Sequence, residues 1–343
     1  KETIDITKGM FAIALWDKKC KKLILIRDRA GEKPLYYGWQ KGVFLFGSNI
    51  SALKQHPDFI KEIDRNALKL YMKYSYVPAP KSIFKDIYKL KPGCILSVSL
   101  QDREPKIEKY WDYQKEFKYA SANLFFGTEK EAVSVLDKKL TESVISQTVS
   151  DVPIGCFLSG GIDSSLVSAL LQKNTPGASQ TFTIGFENDS YNEANHAKKV
   201  ANYLGTDHTE VYLSSAETRD IIPDLPNIYD EPFADSSQIP TYLVSRIAKN
   251  HVTVSLSGDG GDELFAGYNR YFWSTRISNY PYAARLTISK IINILGDKQI
   301  HNVGKIINSV LPKSSKISLP GHKLIKLSEI LSLKSQKESY EYL

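Results

Sequence analysis

The sequence predicts an α/β protein in two parts: an N-terminal α+β piece of antiparallel strands, then a doubly wound parallel sheet. Three observations carry this. Short runs rich in β-branched and aromatic residues crowd the first hundred positions, separated by charged or Gly-containing turns. After Thr128 short apolar runs alternate with stretches of helical periodicity, the pattern of βαβ units. At 343 residues the chain is too long for one small core.

In order, the first piece reads as strands over 9–17 and 22–28, flanking Lys18-Lys19-Cys20-Lys21, then runs at 35–39 and 43–47. Ile63, Ala67, Leu68, Tyr71 and Met72 recur at helical spacing, with Asp64 the expected N-cap. Pro78, Pro80 and Pro92-Gly93 break the pattern before a strand over 94–98. The aromatic, polar stretch 110–126 reads as a linker. Thr128 and Glu131 have capping-box spacing and open a helix to about residue 150. A strand over 154–158 passes through Gly160-Gly161 into a helix over 162–173. Strands at 181–186, 208–213 and 252–256 alternate with helices at 191–204, near 216–229 and at 238–250. Ligands of such sheets sit at the carboxyl ends of the strands.

Composition excludes several classes. With 42% hydrophobic and 24% charged residues, wholesale disorder is out. No apolar run approaches the roughly 18 residues of a membrane span, so no membrane partner is expected. Cys20, Cys94 and Cys156 are odd in number and lack CxxC spacing, which fits a reducing compartment and a cytoplasmic location. Cys94 and Cys156 read as small core residues. The net charge of +7 lies wholly beyond residue 270, where 11 Lys+Arg face 4 Asp+Glu. Those basic residues sit singly, as in Lys305-Ile306-Ile307 and Lys323-Leu324-Ile325-Lys326, and read as wet faces of amphipathic helices. No nucleic-acid partner is expected.

Two loops carry the chemistry. In Phe157-Leu158-Ser159-Gly160-Gly161-Ile162-Asp163-Ser164-Ser165, two glycines bare the backbone before a helix N-terminus, an arrangement that receives anions. Ser159, Ser164 and Ser165 supply hydroxyls. No GxxxxGK[ST] run occurs, so this is not a Walker loop. Without a lysine, Asp163 makes sense as a magnesium ligand beside phosphates, the alternative being an ordinary helix-start residue. The second loop, Ser257-Gly258-Asp259-Gly260-Gly261-Asp262-Glu263, crowds three carboxylates into five positions, which a cation relieves. Asp262 is thus a second candidate metal ligand and Asp259 a candidate at the reacting centre. The alternative is an acid-rich helix start. Together the loops describe a nucleotide site.

Residues 159–165 resemble the pyrophosphate loop of the ATP pyrophosphatases (PP-loop enzymes). With the run 256–268, with Asp151-Val152-Pro153 and with Asp230-Glu231-Pro232-Phe233-Ala234-Asp235-Ser236-Ser237, they resemble glutamine-dependent asparagine synthetase. Gly9-Met10-Phe11-Ala12 and the run 27–37 resemble the second half of that family's Ntn-type glutaminase domain. The resemblance implies residues 1–115 as the C-terminal part of a class II glutamine amidotransferase, 116–127 as linker and 128–343 as a C-terminally truncated synthetase domain. It implies ATP and Mg2+ as cofactors, and aspartate with glutamine or ammonia as small-molecule substrates. The aspartate carboxylate would be adenylated with release of pyrophosphate, and ammonia would then displace AMP. Phe157, Leu158 and Ile184 would line the nucleotide pocket, and Ser257 and Gly258 would hold the nucleotide. Ser159, Gly160, Gly161, Ser164 and Ser165 would hold its phosphates. Asp163 and Asp262 would hold Mg2+, and Asp259 would serve adenylate formation. Asp235, Ser236 and Ser237 either face the amino-acid substrate or cap the following helix.

There are departures. The family's N-terminal nucleophilic cysteine is expected to be absent from this chain, since Cys20 lies in a charged turn. The family's lysine in a run ending Arg-Val-Pro-Phe is missing too, so the chain reads as an internal fragment. Ala266 stands where a second glycine is usual, a change expected to matter little. A homodimer is compatible with this reading, though nothing in the residues selects it. Three alternatives stay open: a PP-loop amidotransferase for another carboxylate such as a sugar uronic acid, a PP-loop tRNA-modifying enzyme, and a degenerate binding module.

Overall fold

The structure, a computed structural model, describes residues 2–186, 193–295, 299–300, 302, 320–335 and 337–338. It divides into two compact units, Lys1–Ser257 and Gly258–Leu343.

The first unit begins with a short helix α1 (Glu2–Ile6) and strands β1 (Ala12–Asp17), β2 (Lys22–Arg27), β3 (Tyr36–Gln40) and β4 (Val43–Gly47). Helices α2 (Ile50–Leu53) and α3 (Arg65–Tyr74) follow, then β5 (Tyr88–Lys89), β6 (Cys94–Ser99) and β7 (Lys106–Lys109). All pairings here are antiparallel, in two sheets ordered β1-β2-β6-β7 and β4-β3-β5. Leu25, Leu96 and Val98 of the first sheet pack with Tyr37 of the second and with the flanking Leu35 and Leu90, so the sheets share one core. The predicted cap of α3 is present: the Asp64 carboxylate accepts from the N–H groups of Asn66 (2.8 Å) and Ala67 (3.2 Å).

Residues 113–122, inside the stretch expected to be a linker, form helix α4 (Tyr113–Ala122), capped by Asp112 and burying none of its residues. Helix α5 (Glu129–Gln147) opens with the expected capping box of Thr128 and Glu131. Then come β8 (Ile154–Phe157), α6 (Ile162–Asn174), β9 (Gln180–Phe186), α7 (Ala194–Leu204) and β10 (Asp207–Leu213). The expected start of the α7 helix at Tyr191 lies outside the described residues. The helix expected near 216–229 is in fact three short pieces, α8 (Ser215–Asp220), a 3-10 turn (Ile222–Asp224) and α9 (Leu225–Ile228). Pro223 and Pro226 cause the breaks, since each lacks the N–H that would bond back along the helix, although Leu225 before Pro226 keeps helical angles (φ −51°, ψ −41°). Helix α10 (Gln238–Ala248) leads into β11 (Val254–Leu256).

These four strands form a wholly parallel sheet ordered β10-β9-β8-β11. Cys156 and Leu256 face α5 and α6 through Val144, Leu170 and Leu171, and Leu158 packs on Ala197 and Ala201 of α7. Phe157 and Phe182 point the other way, onto Val244, Ile247 and Ala248 of α10. Helices thus cover both faces, which is why the strands read as unbroken apolar runs.

The second unit holds α11 (Gly261–Phe265), α12 (Asn269–Ser278), α13 (Tyr282–Ile294) and a helix over Pro320–Ser332. Ser328 Oγ donates to Asn293 Oδ1 (2.8 Å), and the Arg285 guanidinium donates to Leu333 O (3.0 Å). Lys290, Lys323 and Lys326 lie on exposed faces, as expected; Lys305-Ile306-Ile307 lies outside the described residues. Among the described residues no helix is long and apolar enough to cross a membrane.

Candidate functional site

The first loop leaves β8 at its carboxyl end. Leu158 is enclosed, 1% exposed, and its N–H donates to Phe182 O (2.9 Å), so any contact it makes with a ligand runs through its backbone. The chain then turns at Gly160, whose φ of +82° is in the left-handed region. A Cβ there would stand 2.6 Å from Ala197 N and 2.8 Å from the carbonyl carbon of His196. Helix α7 therefore packs on the bare backbone of the turn.

Gly161 is the N-cap of α6 and provides no side-chain cap, so the first-turn N–H groups and the positive end of the helix dipole face the loop. The serine hydroxyls are organised among themselves. Ser159 Oγ and Ser164 Oγ lie 2.9 Å apart, Ser164 Oγ accepts from Ser159 N–H (3.2 Å), and Ser159 Oγ accepts from Gly161 N–H (3.2 Å). Ser165 differs: its Oγ is enclosed with no hydrogen-bond partner, a situation that costs about 1–3 kcal/mol unless a ligand or water relieves it. Asp163 stands partly exposed in the first turn of α6. Ile162 beside it is 86% exposed, a residue that sequence reading passed over because an Ile at a helix start usually turns inward.

Strand β11 pairs with β8, Leu256 beside Cys156, so Ser257 also leaves the sheet at its carboxyl end. The loop that follows belongs to the second unit. Gly260 (φ +92°) caps α11, and Gly261 N–H donates to Gly258 O (3.2 Å). Asp259 is exposed and Asp262 partly buried. The Asp262 carboxylate lies against the Cα of Gly267, where a Cβ would overlap its Oδ1. Of the three crowded acids, Glu263 accepts from the Tyr268 hydroxyl (2.5 Å), a contact between residues five apart that spacing alone did not show. Ala266 takes φ +56°, ψ +41°. The expectation that this position matters little is corrected, because a side chain in the left-handed region costs about 1–2 kcal/mol. Among the described residues no three His, Cys, Asp or Glu side chains gather as a metal-holding group.

Ile184 lies on the α10 face of the sheet, packed with Leu213, Ile221 and Leu243. At the start of α10, Ser237 occupies the N-cap position but makes no side-chain cap bond. Instead Asp235 accepts from Ser237 N–H (2.8 Å). That N–H, and then the Ser237 hydroxyl, hold the Asp235 carboxyl below the usual range. The turn 235–237 is thus braced locally rather than serving as a helix cap. Cys94 and Cys156 are buried and Cys20 is exposed, as expected. Burial pushes the Cys156 thiol up to about 11.

Two family patterns match the chain: that of asparagine synthase over residues 135–342, and that of a glutamine amidotransferase domain over residues 1–111. A protein of Methanocaldococcus jannaschii named, by assignment, glutamine-hydrolyzing asparagine synthetase 2 is 36% identical over 296 residues, 84% of this chain and 54% of its own length. Glutamine-hydrolyzing asparagine synthetase 1 of Bacillus subtilis is 35% identical over 271 residues, 79% of this chain and 41% of its own. Amidase chyE of Penicillium rubens is 29% identical over 282 residues, 77% and 40%. The chain spans about half the length, or less, of these relatives. With antiparallel sheets in the part matched by the amidotransferase pattern and a parallel sheet in the part matched by the synthase pattern, the chain belongs to the asparagine synthase family.

Proposed function

We propose that this chain carries the nucleotide site of a glutamine-dependent carbon–nitrogen ligase that adenylates the side-chain carboxylate of aspartate. In this reading the acceptor carboxylate attacks the α-phosphorus of ATP and pyrophosphate leaves. Ammonia derived from glutamine then attacks the activated carbonyl, and AMP departs to leave asparagine. Residues 1–115 are the C-terminal part of the glutaminase, 116–127 the connection and 128–343 the synthetase part. None of the chain's own cysteines serves glutamine hydrolysis.

The observation that carries the reading is the turn between β8 and α6. Its backbone is pinched at Gly160, its helix start lacks a side-chain cap, and Ser165 Oγ is enclosed without a partner. These features fit a polyanion: N–H groups at a helix start and a serine hydroxyl are donors that the oxygens of a pyrophosphate satisfy. Ser159, Gly160, Gly161, Ser164 and Ser165 hold that group. Phe157, Ile184 and the backbone of Leu158 border the adenosine, and Ser257 and Gly258 hold it further along. Asp163 and Asp262 would each offer a carboxylate to Mg2+, a cation that takes one or two carboxylates together with phosphate oxygens and so needs no three-residue cluster. When bound, it neutralises the charge that builds on the leaving pyrophosphate. Asp259 serves adenylate formation, and Asp235, Ser236 and Ser237 face the acceptor.

The test is pyrophosphate release from ATP, with ammonium as nitrogen source. Release that requires both aspartate and Mg2+ is expected. Equal release with any carboxylate, or with none, would sink the assignment. One second reading is amidation of a different carboxylate, such as a sugar uronic acid, at the same adenylating site. A uronic acid arm in the same assay separates the two.

A further inference from the structure

Within the first unit, residues 229–234 reach from the start of α10 to the antiparallel layers, and almost every polar contact they make there is long-range. The Asp230 carboxylate accepts from the N–H groups of Ile50 (2.7 Å) and Ser51 (2.8 Å). It thereby closes the start of α2, whose own Asn49 gives no side-chain cap. Glu231 accepts from Ile83 N–H (2.7 Å) and from the Tyr36 hydroxyl (3.3 Å), and pairs with the Lys89 ammonium. The Glu231 and Lys89 side chains are only 10% and 17% exposed. Ala234 N–H donates to Ser75 O (2.7 Å). Burial, reinforced by the charges of Glu231 and Asp230, pushes the Tyr36 hydroxyl far above its usual range, so it remains a donor at every working pH. An open hollow of about 300 Å3 lies alongside, bordered by Tyr36, Asn49, Lys89 and Phe233.

The other end of the strap is tied to α10. The Tyr229 hydroxyl donates to Gln238 O (2.6 Å), the first residue of that helix, and the Tyr229 ring meets Phe233 edge-on at 4.8 Å. Because α10 leads into the amino end of a parallel strand, its own start lies at the carboxyl side of the sheet, where the β8–α6 turn also lies. The turn 235–237 sits between strap and helix.

We propose that Asp230 and Glu231 are positioning residues: their carboxylates fasten the strap to the antiparallel layers, and through it those layers set the placement of the 235–237 turn on the acceptor side of the nucleotide site. The consequence for catalysis rests on the ligase reading; the placement itself does not.

The test is Glu231→Gln in the full chain. Glutamine keeps one oxygen, for Ile83 N–H, but loses the second, which the Tyr36 hydroxyl and Lys89 share, and leaves Lys89 buried without its counter-charge. Amide exchange followed by mass spectrometry should run at least tenfold faster across 235–241, with 22–27 and 154–157 unchanged. In ammonium-dependent pyrophosphate release, KM for aspartate should rise at least fivefold while KM for ATP holds. Unchanged exchange at 235–241, or uniform acceleration throughout the unit, would overturn the proposal. If Glu231→Gln does not fold, Asp230→Asn is read by the same outcomes. Absence of aspartate-dependent release from the unsubstituted chain would sink the ligase reading instead, and amide exchange alone would then decide whether the strap places the turn.

Discussion

Replacing Gly160 by alanine separates what the β8–α6 turn needs for folding from what it needs for its ligand. Two costs add. A φ of +82° places an alanine in the left-handed region, at about 1–2 kcal/mol. The new Cβ also meets Ala197 N at 2.6 Å and the His196 carbonyl carbon at 2.8 Å. Both are backbone atoms of a packed helix that cannot swing aside as a side-chain tip could, and overpacking of that kind costs about 1–3 kcal/mol. The sum, about 2–5 kcal/mol, is a large share of a typical domain stability of about 5–15 kcal/mol. Gly177 is the control, since its φ is +79° and a Cβ there meets nothing within 4 Å. Gly177→Ala should show the conformational cost alone. Urea unfolding monitored by far-UV circular dichroism gives the difference, and equilibrium dialysis with Mg2+ and ATP gives the binding effect. A shift of the turn by about 1 Å should weaken binding by roughly a hundredfold, the scale on which misplaced contacts cost activity. If Gly160→Ala and Gly177→Ala were equally destabilising, the close approach of α7 would carry no energy. If Gly160→Ala bound ATP as the unsubstituted chain does, the turn would not be the phosphate cradle.

Further outcomes follow from single residues. Ala266→Gly should stabilise the second unit by about 1 kcal/mol, because glycine removes the left-handed penalty; no gain in unfolding midpoint would contradict the backbone geometry there. Asp64 is held below the usual carboxylate range by Lys81 and by the N–H groups of Asn66 and Ala67. Its contribution is therefore present above the unfolded pKa of about 4 and is lost as pH falls through the depressed folded value. Asp64→Ala should cost about 1 kcal/mol at neutral pH and progressively less in acid. A cost that grew on acidification would reverse the sign. Alkylation at pH 8 should modify Cys20 at once, while Cys94 and Cys156 react only after unfolding, since burial keeps both thiols protonated. Rapid labelling of Cys156 would mean that the parallel sheet opens.

Local chemistry was legible in the sequence wherever a few neighbouring residues decide the outcome. Asp64 as a cap, Thr128 with Glu131 as a capping box, and Gly160-Gly161 between a buried strand and a helix all appear where they were read. The split of 215–228 into short pieces was also written there, in Pro223 and Pro226, and helical periodicity hid it. Helix α4 was missed for the opposite reason: Tyr113, Phe117 and Ala120 recur at helical spacing, but they stand in an aromatic, polar stretch that reads as a linker, and none of them is buried. The partners of Asp230 and Glu231 lie 148 to 195 positions away in four hydrogen bonds, and no spacing rule reaches that far. The strain at Ala266 escaped notice because it depends on one backbone angle rather than on residue type.

The central claim is that the backbone at 160–163 receives the pyrophosphate end of ATP. Amide resonances report it most directly: a TROSY titration of the 15N-labelled chain with Mg2+ and ATP, and separately with Mg2+ and inorganic pyrophosphate. The account predicts saturable shifts in both titrations at Gly160, Gly161, Ile162 and Asp163, while Gly177 stays still. Nucleotide that binds without moving those four amides, or that moves Gly177 as much as Gly160, would contradict it.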